Sequence, residues 1–384
     1  MRLQLTTLAL IGLALIGLAS VARADGELTA RGVYYKERST LVMQPMLDGM
    51  FDAGERGLAT AHFLVDAITS ASAGSGAANA KPFTETRYEG GAGYTHEFDG
   101  PAHSWLDRYR VGGDAKYSTE SDYDSRYIGA RFEADLAQKN ATFGLGIGLG
   151  DDTITNAGAQ SPMGGPQIQC EVSSTATGTS CSLSTYSLST SLSQILSKNM
   201  IAAASYDLEK LDGYQANPYR TVTTATGLVP EVHPNSRLRQ AFAGTLRYYL
   251  PATHTTLIGA YRYYRDDWHI RAHTPELRIV QAVGTMADAS VRYRYYRQSA
   301  SYFYEDRYPT IDTSKVTYVT DDPKMSGYDG STMEAKLGVL GEAFGLSGNW
   351  AGARFEGVLE YIIQHNRFGD AVVAHVSLTL PLSY

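Results

Sequence analysis

The C-terminal stretch "AVVAHVSLTLPLSY" (371–384) decides the fold. Val372, Ala374, Val376, Leu378, Leu380, Leu382 and Tyr384 fall on one face of an extended chain. Val373, His375, Ser377, Thr379, Pro381 and Ser383 fall on the other. Successive side chains of a strand point to opposite sides, so this segment sorts oil from water along its whole length. Globular strands average about five or six residues. Strands of about ten residues with one apolar and one polar face mark a transmembrane barrel. The terminal aromatic, with apolar residues at alternate positions before it, resembles the signal by which outer-membrane barrels are recognised for insertion. Phe is usual in that place, and Tyr384 stands there in this chain.

The stretch "AYRYYRDDWHIRAH" (260–273) obeys the same rule. Leu257, Gly259, Tyr261 and Tyr263 share one face; Ile258, Ala260, Arg262, Tyr264 and Asp266 share the other. Tyrosine suits the headgroup belt, where a ring is half wet. Arg265 breaks the apolar face where the strand leaves the membrane, and its long stem lets the charge snorkel. A second copy, "SVRYRYYRQSASYFYEDRYP" (290–309), sets Val291, Tyr293 and Tyr295 against Arg292, Arg294 and Tyr296. A lipid-facing arginine at the bilayer midplane costs about 2–4 kcal/mol, so the arginines on the polar faces are expected to point inward.

The N-terminus reads as a secretory signal peptide over residues 1–24. Arg2 is followed by an apolar run from Leu8 to Leu18 and by Ala22-Arg23-Ala24, a cleavage pattern. Cleavage near Ala24 is expected to leave one domain, 25–384, with no linker, plug segment or transmembrane helix. Without Arg2 and Arg23 the balance is 31 basic against 40 acidic residues, or −9, which argues against a nucleic-acid partner. Cys170 and Cys181 share a Ser/Thr/Gly-rich stretch and are expected to pair in the oxidising compartment.

Sixteen strands are expected, within a range of 14 to 18, beginning near Glu27, Thr40, Leu58, Phe83, Ser104, Arg126, Ala141, Ser182, Asn199, Arg237, Thr255, Thr274, Met286, Ser331, Asn349 and Val372. With Glu27 starting upward, every very long connection falls on one side. The short connections "DAGERG", "AQKN", "LSKN" and "VGTM" fall on the other, as periplasmic turns do. The fold class is thus all-β: a transmembrane, antiparallel, up-and-down barrel.

The words "HFLVDAITSAS" (62–72), "ESDYDSRYIG" (120–129), "DGYQANPYR" (212–220), "YRYYRDDWHIRAHTPEL" (261–277) and "RYRYYRQSASYFY" (292–304) resemble a bacterial outer-membrane family catalogued as domain of unknown function 3570. The resemblance spans nearly the whole mature chain. It implies an outer-membrane barrel and carries no activity, catalytic residue or substrate.

No cofactor is expected. The histidines have no metal-ligand spacing, and no nucleophile elbow occurs. The acid pairs Asp151-Asp152, Asp266-Asp267 and Asp321-Asp322 read as a solvated rim. The glycine run "FGLGIGLG" (143–150) reads as small residues that let side chains pack closely within the wall. The candidate lumen residues are Arg131, Glu133, Arg239, Arg247, Arg262, Arg292, Arg294 and Glu356. They fit in-barrel ion pairs that stiffen the wall, or an arginine ladder in a pore that favours anions. The "NPYR" and "YEDRYP" loops are candidates for an inward-folded constriction.

Three functions follow. The first is a channel or export pore for a small polar or anionic solute. The second is a structural or partner-binding barrel with an occluded lumen, serving a lipoprotein or electron carrier. An outer-membrane hydrolase ranks third. The expected partners are outer-membrane lipid, the barrel-assembly machinery and a periplasmic or lipoprotein partner.

Overall fold

The computed structural model describes residues 25–38, 40–70, 83–102, 104–155, 170–172, 179–217, 220–225, 227–309 and 317–382. The proposed leader (1–24), Tyr384, and the outer connections 71–82, 156–169 and 173–178 lie outside the described residues.

Sixteen strands form the wall. In chain order the first eight are β1 (Gly26–Glu37), β2 (Thr40–Asp52), β3 (Gly57–Ser70), β4 (Phe83–Asp99), β5 (Leu106–Thr119), β6 (Tyr123–Leu136), β7 (Ala141–Thr155) and β8 (Thr179–Ser197). The rest are β9 (Met200–Gly213), β10 (Ser236–Leu250), β11 (Thr255–Asp266), β12 (Arg271–Val283), β13 (Ala287–Gln298), β14 (Tyr328–Leu340), β15 (Arg354–Gln364) and β16 (Ala371–Leu382). Each pairs antiparallel with its sequence neighbours. The ring closes between β1 and β16, in register from Gly26 opposite Leu382 to Glu37 opposite Ala371. Closure leaves no unpaired strand edge in hydrocarbon, where an unsatisfied backbone group costs several kcal/mol.

Pro275 explains why the twelfth strand is hard to see in the sequence. It has no N–H to give to the ladder. The β12–β13 pairing is accordingly interrupted at Thr274 and Pro275, with the register unchanged from His273 opposite Arg297 to Glu276 opposite Arg294.

The two faces are sorted as the alternation requires. Val111, Ile128, Ile147, Leu277, Leu337 and Leu359 stand exposed on the outside, Val376 the most at 67%. A continuous apolar surface of this extent is untenable in water, and it matches the lipid-facing band of a membrane barrel. Gly144, Gly146, Gly148 and Gly150 of β7 face the interior, in register with Ser191, Ser189, Ser187 and Thr185 of β8. A β-carbon on Gly144 or Gly146 would lie 2.6 Å from the hydroxyl of Ser191 or Ser189. The glycine run is therefore close packing within the wall, as the sequence suggested.

Candidate functional site: the lumen and its outer cap

The pentads Tyr261–Arg265 and Tyr293–Arg297 have the same sequence and stand on β11 and β13, which run in the same direction. Alternation puts the first arginine of each, Arg262 or Arg294, inside with Tyr264 or Tyr296. It puts the second, Arg265 or Arg297, outside.

Most inward arginines are matched by carboxylates on neighbouring strands. Arg292, with its side chain only 8% exposed, reaches Glu334 at 2.5 Å, Glu360 at 3.2 Å and Glu276 at 3.5 Å. Arg294 Nε donates to Glu276 at 2.9 Å, and Arg278 lies 3.5 Å from Glu334. Below them Glu356 takes Lys336 at 2.6 Å and Arg354 at 2.8 Å, and Arg354 also pairs with Asp288. On the far wall Arg110 bonds Glu133 at 2.6 Å, and both Arg108 and Arg110 bond Asp135. Arg131 donates to the Thr95 hydroxyl at 2.5 Å. Such pairs hold wall geometry; a buried pair adds little net stability, yet breaking one is costly.

Three predicted arginines lack an ion pair among the described residues: Arg131, which has only the Thr95 hydroxyl, and Arg247 and Arg262; Arg239 pairs with Glu209 at 2.7 Å. Arg262 packs over the Tyr264 ring at 5.7 Å. It lines two successive cavities on this wall. The outer one, about 410 Å³, also takes Asp207, Arg239, Tyr296, Lys324 and Met325. The inner one, about 610 Å³, also takes Thr245, Glu276, Arg294, Tyr296 and Thr332. On the inner faces of β10 to β15, Arg247, Arg262, Arg278, Arg292 and Arg294 stand against Glu276, Glu334 and Glu360. This mid-wall band thus carries two more positive than negative charges.

A cap of outer connections covers this wall. Val222, Tyr308 and Val319 form its core. Thr320 donates to Glu231, and Val232 exchanges backbone hydrogen bonds with Val319. Trp268, in the β11–β12 turn, is 2% exposed and packs on His233 and Phe303, with Arg237 over its ring at 4.1 Å. Gln298 fastens the cap to β13 by donating to the carbonyls of Lys324 and Ser326 at 2.9 and 2.6 Å. The segments around "NPYR" and "YEDRYP" thus lie in one folded unit at the outer mouth.

The cap corrects one expectation. Asp321 and Asp322 are not a solvated rim; both are buried, because the cap core closes over them, and the Asp266 side chain is buried as well, held by Arg237 and the Tyr264 hydroxyl. Asp322 pairs with Arg220 at 2.8 Å. Burial pushes the Asp321 carboxyl up to about 6; Arg367 and Arg220 pull it down, and Glu231 and Asp322 push it further up. Burial acts to raise Glu231 too, but His233, Arg220 and the Thr320 hydroxyl outweigh it and hold that carboxyl below its usual range. The inward arginines of β10 to β13 are interleaved with glutamates, which leaves Arg247 and Arg262 as the uncompensated members of that row. Arg278, Arg237 and the cap core were not singled out from the sequence. The strand parity of Arg278 and Arg237 was a usable signal; the cap strands, four residues each, are too short to carry one.

Cys170 lies directly opposite Cys181 in a short pair beside β8, and Cys181 is 1% exposed. No free cysteine occurs among the described residues.

The profile described as "Protein of unknown function (DUF3570)" matches residues 1–357. Among solved structures the chain is similar to a bacterial polysaccharide outer-membrane secretin, with TM-score 0.53 and 7% identity over 94% of this chain and 100% of that one. It is also similar to the outer-membrane protein OprD from Pseudomonas aeruginosa, with TM-score 0.46 and 10% identity over 94% and 96%. A BenF-like porin from Pseudomonas fluorescens Pf-5 gives TM-score 0.44 and 9% identity over 94% and 99%. The likeness to the secretin is one of fold. No curated protein matches the sequence.

Proposed function

The chain belongs to the DUF3570 family, and we propose that it is an outer-membrane channel for small polar solutes with a preference for anions. One observation carries the reading. Arg262, free of any carboxylate partner among the described residues, lines both successive cavities beneath the cap. An arginine held in a watery lumen without a counter-charge lowers the energy of a passing anion and raises that of a cation. The paired arginines around it fix the wall and leave it, with Arg247, as the uncompensated charge of this band.

The test is conductance of the purified barrel in planar bilayers under a potassium chloride gradient. The expected result is a current whose reversal potential favours chloride. Arg262→Glu should shift that potential toward potassium, and Arg262→Gln should leave it between the two. Absence of current, or a selectivity indifferent to Arg262, would overturn the reading. The dense ion pairing around Arg292 supports a second one, a rigid barrel that presents the cap to a partner. A lack of current in the intact protein would favour it.

A further inference from the structure

The second arginine of each pentad has no part in the lumen. Arg265 and Arg271 are direct cross-strand partners, both exposed on the outer surface of the barrel. Arg297 is exposed on the next strand, opposite His273. Like charges directly opposite each other destabilise a strand pair. None of the three arginines has an ion-pair partner among the described residues, and Arg265 has only the Gln240 side chain, at 3.0 Å. The nearby acids are engaged elsewhere: Asp267 accepts from the Leu238 amide at 3.0 Å, and Asp329 from His365 at 3.0 Å.

Position says what would relieve this repulsion. Arg265 stands two residues beyond Tyr263, roughly 7 Å further along the strand. Tyr261 and His273 meet at 2.5 Å just inside that level. Deeper still come the lipid-facing side chains Leu277, Val291 and Tyr293. The order from the midplane is therefore aliphatic, then aromatic, then cationic. It matches an amphiphile with acyl chains below and an anionic head above. Guanidinium forks grip phosphate oxygens in pairs, and two facing forks suit a group that bears more than one negative charge.

We propose that Arg265, Arg271 and Arg297 form a binding site for the phosphorylated headgroup of an outer-leaflet lipid. The site is independent of the channel reading, since all three side chains lie outside the lumen.

Native mass spectrometry of the full barrel, refolded in neutral detergent, tests it with three probes: a hexa-acyl disaccharide lipid with two phosphates, its dephosphorylated form, and inorganic phosphate. The expected result is retention of one phosphorylated lipid, with at least about tenfold less of the dephosphorylated form and none of free phosphate. R265Q/R271Q should lower that retention about tenfold. The inward-facing Arg31→Gln should leave it unchanged. Equal retention of the dephosphorylated lipid would overturn the site, as would equal retention by the double variant. Retention of inorganic phosphate at the level of the lipid would identify a free-anion site and overturn the lipid assignment. Refolding is checked by the heat-dependent gel shift. If the double variant does not refold, Arg297→Gln alone is read instead, with a loss of about threefold expected and no loss counting against the site.

Discussion

Val376→Arg and Ser377→Arg place the same charge on adjacent residues of one strand, and the barrel should answer them very differently. Val376 points into lipid between two glycines, Gly32 on β1 and Gly357 on β15, so nothing on either side shields a newly placed charge. It is the sixth residue of a strand that runs from Ala371 to Leu382. With about 3.4 Å of rise per residue and about 45° of tilt, five residues amount to roughly 12 Å of depth. An arginine there is near the midplane, too deep to snorkel freely, and should cost about 2–4 kcal/mol, or roughly 30- to 700-fold in the folding equilibrium. Ser377 points inward, between Arg31 and Glu356. An arginine there meets water, one like charge and one opposite charge, and should cost less than about 1 kcal/mol. The assay is urea unfolding from phosphatidylcholine vesicles, followed by tryptophan fluorescence and the heat-dependent gel shift. Equal costs, or a larger cost for Ser377→Arg, would refute the assignment of faces and with it the membrane barrel.

Arg292→Ala should destabilise by about 3 kcal/mol in the same assay, because it leaves Glu360 without a cation and Glu334 with only Arg278 at 3.5 Å. R292A/E334A should recover part of that loss; a fully additive double variant would show that the lattice is not coupled. The cap should be tightest between about pH 4.5 and 6. The folded value for Asp321 lies above its unfolded one, so its ionised form destabilises the cap above about 6 and the penalty fades as pH falls through that value. Glu231 is shifted the opposite way, so the stability it contributes is present above its ordinary 4.5 and is lost on further acidification. Amide exchange at Val222 and Val319, corrected for intrinsic rates, should show higher protection at pH 5.2 than at 7.5, and a flat profile would remove Asp321 from this role. If Cys170 and Cys181 are joined, reduction should loosen only the connection they close, by about 3 kcal/mol or less, and leave the barrel's urea midpoint unmoved. A mass change on alkylation before reduction would show the bond to be absent.

How much of this was written in the sequence follows from the range of the forces involved. The division of each strand between oil and water is a nearest-neighbour property, because the pleat alternates at every residue. Val376 and Ser377, or Arg262 and Arg265, could therefore be assigned before any coordinate was known. The number of strands and the side that bears the long connections followed from repeating that reading along the chain. The twelfth strand stayed faint because Pro275 interrupts its ladder. The same local rule also located the inward arginines.

It could not say which of them are neutralised. Arg292 gathers Glu276, Glu334 and Glu360 from three other strands, and that depends on cross-strand register and side-chain reach. Neither leaves a periodic trace in the chain. Arg262 has the same residue type and parity, yet Thr274 and Ala243 are its cross-strand neighbours, so it stays uncompensated. The cap was invisible for a similar reason. Val222 comes from a four-residue strand, too short for a readable period, and Val319 from another connection far along the chain, and the two meet only in the folded cap. The buried Asp321 is likewise a product of that enclosure. Sequence by itself determined which solvent each strand residue meets, because that is set one residue at a time. Tertiary structure decided which charges remain available inside, because that is set by distances between residues far apart in the chain.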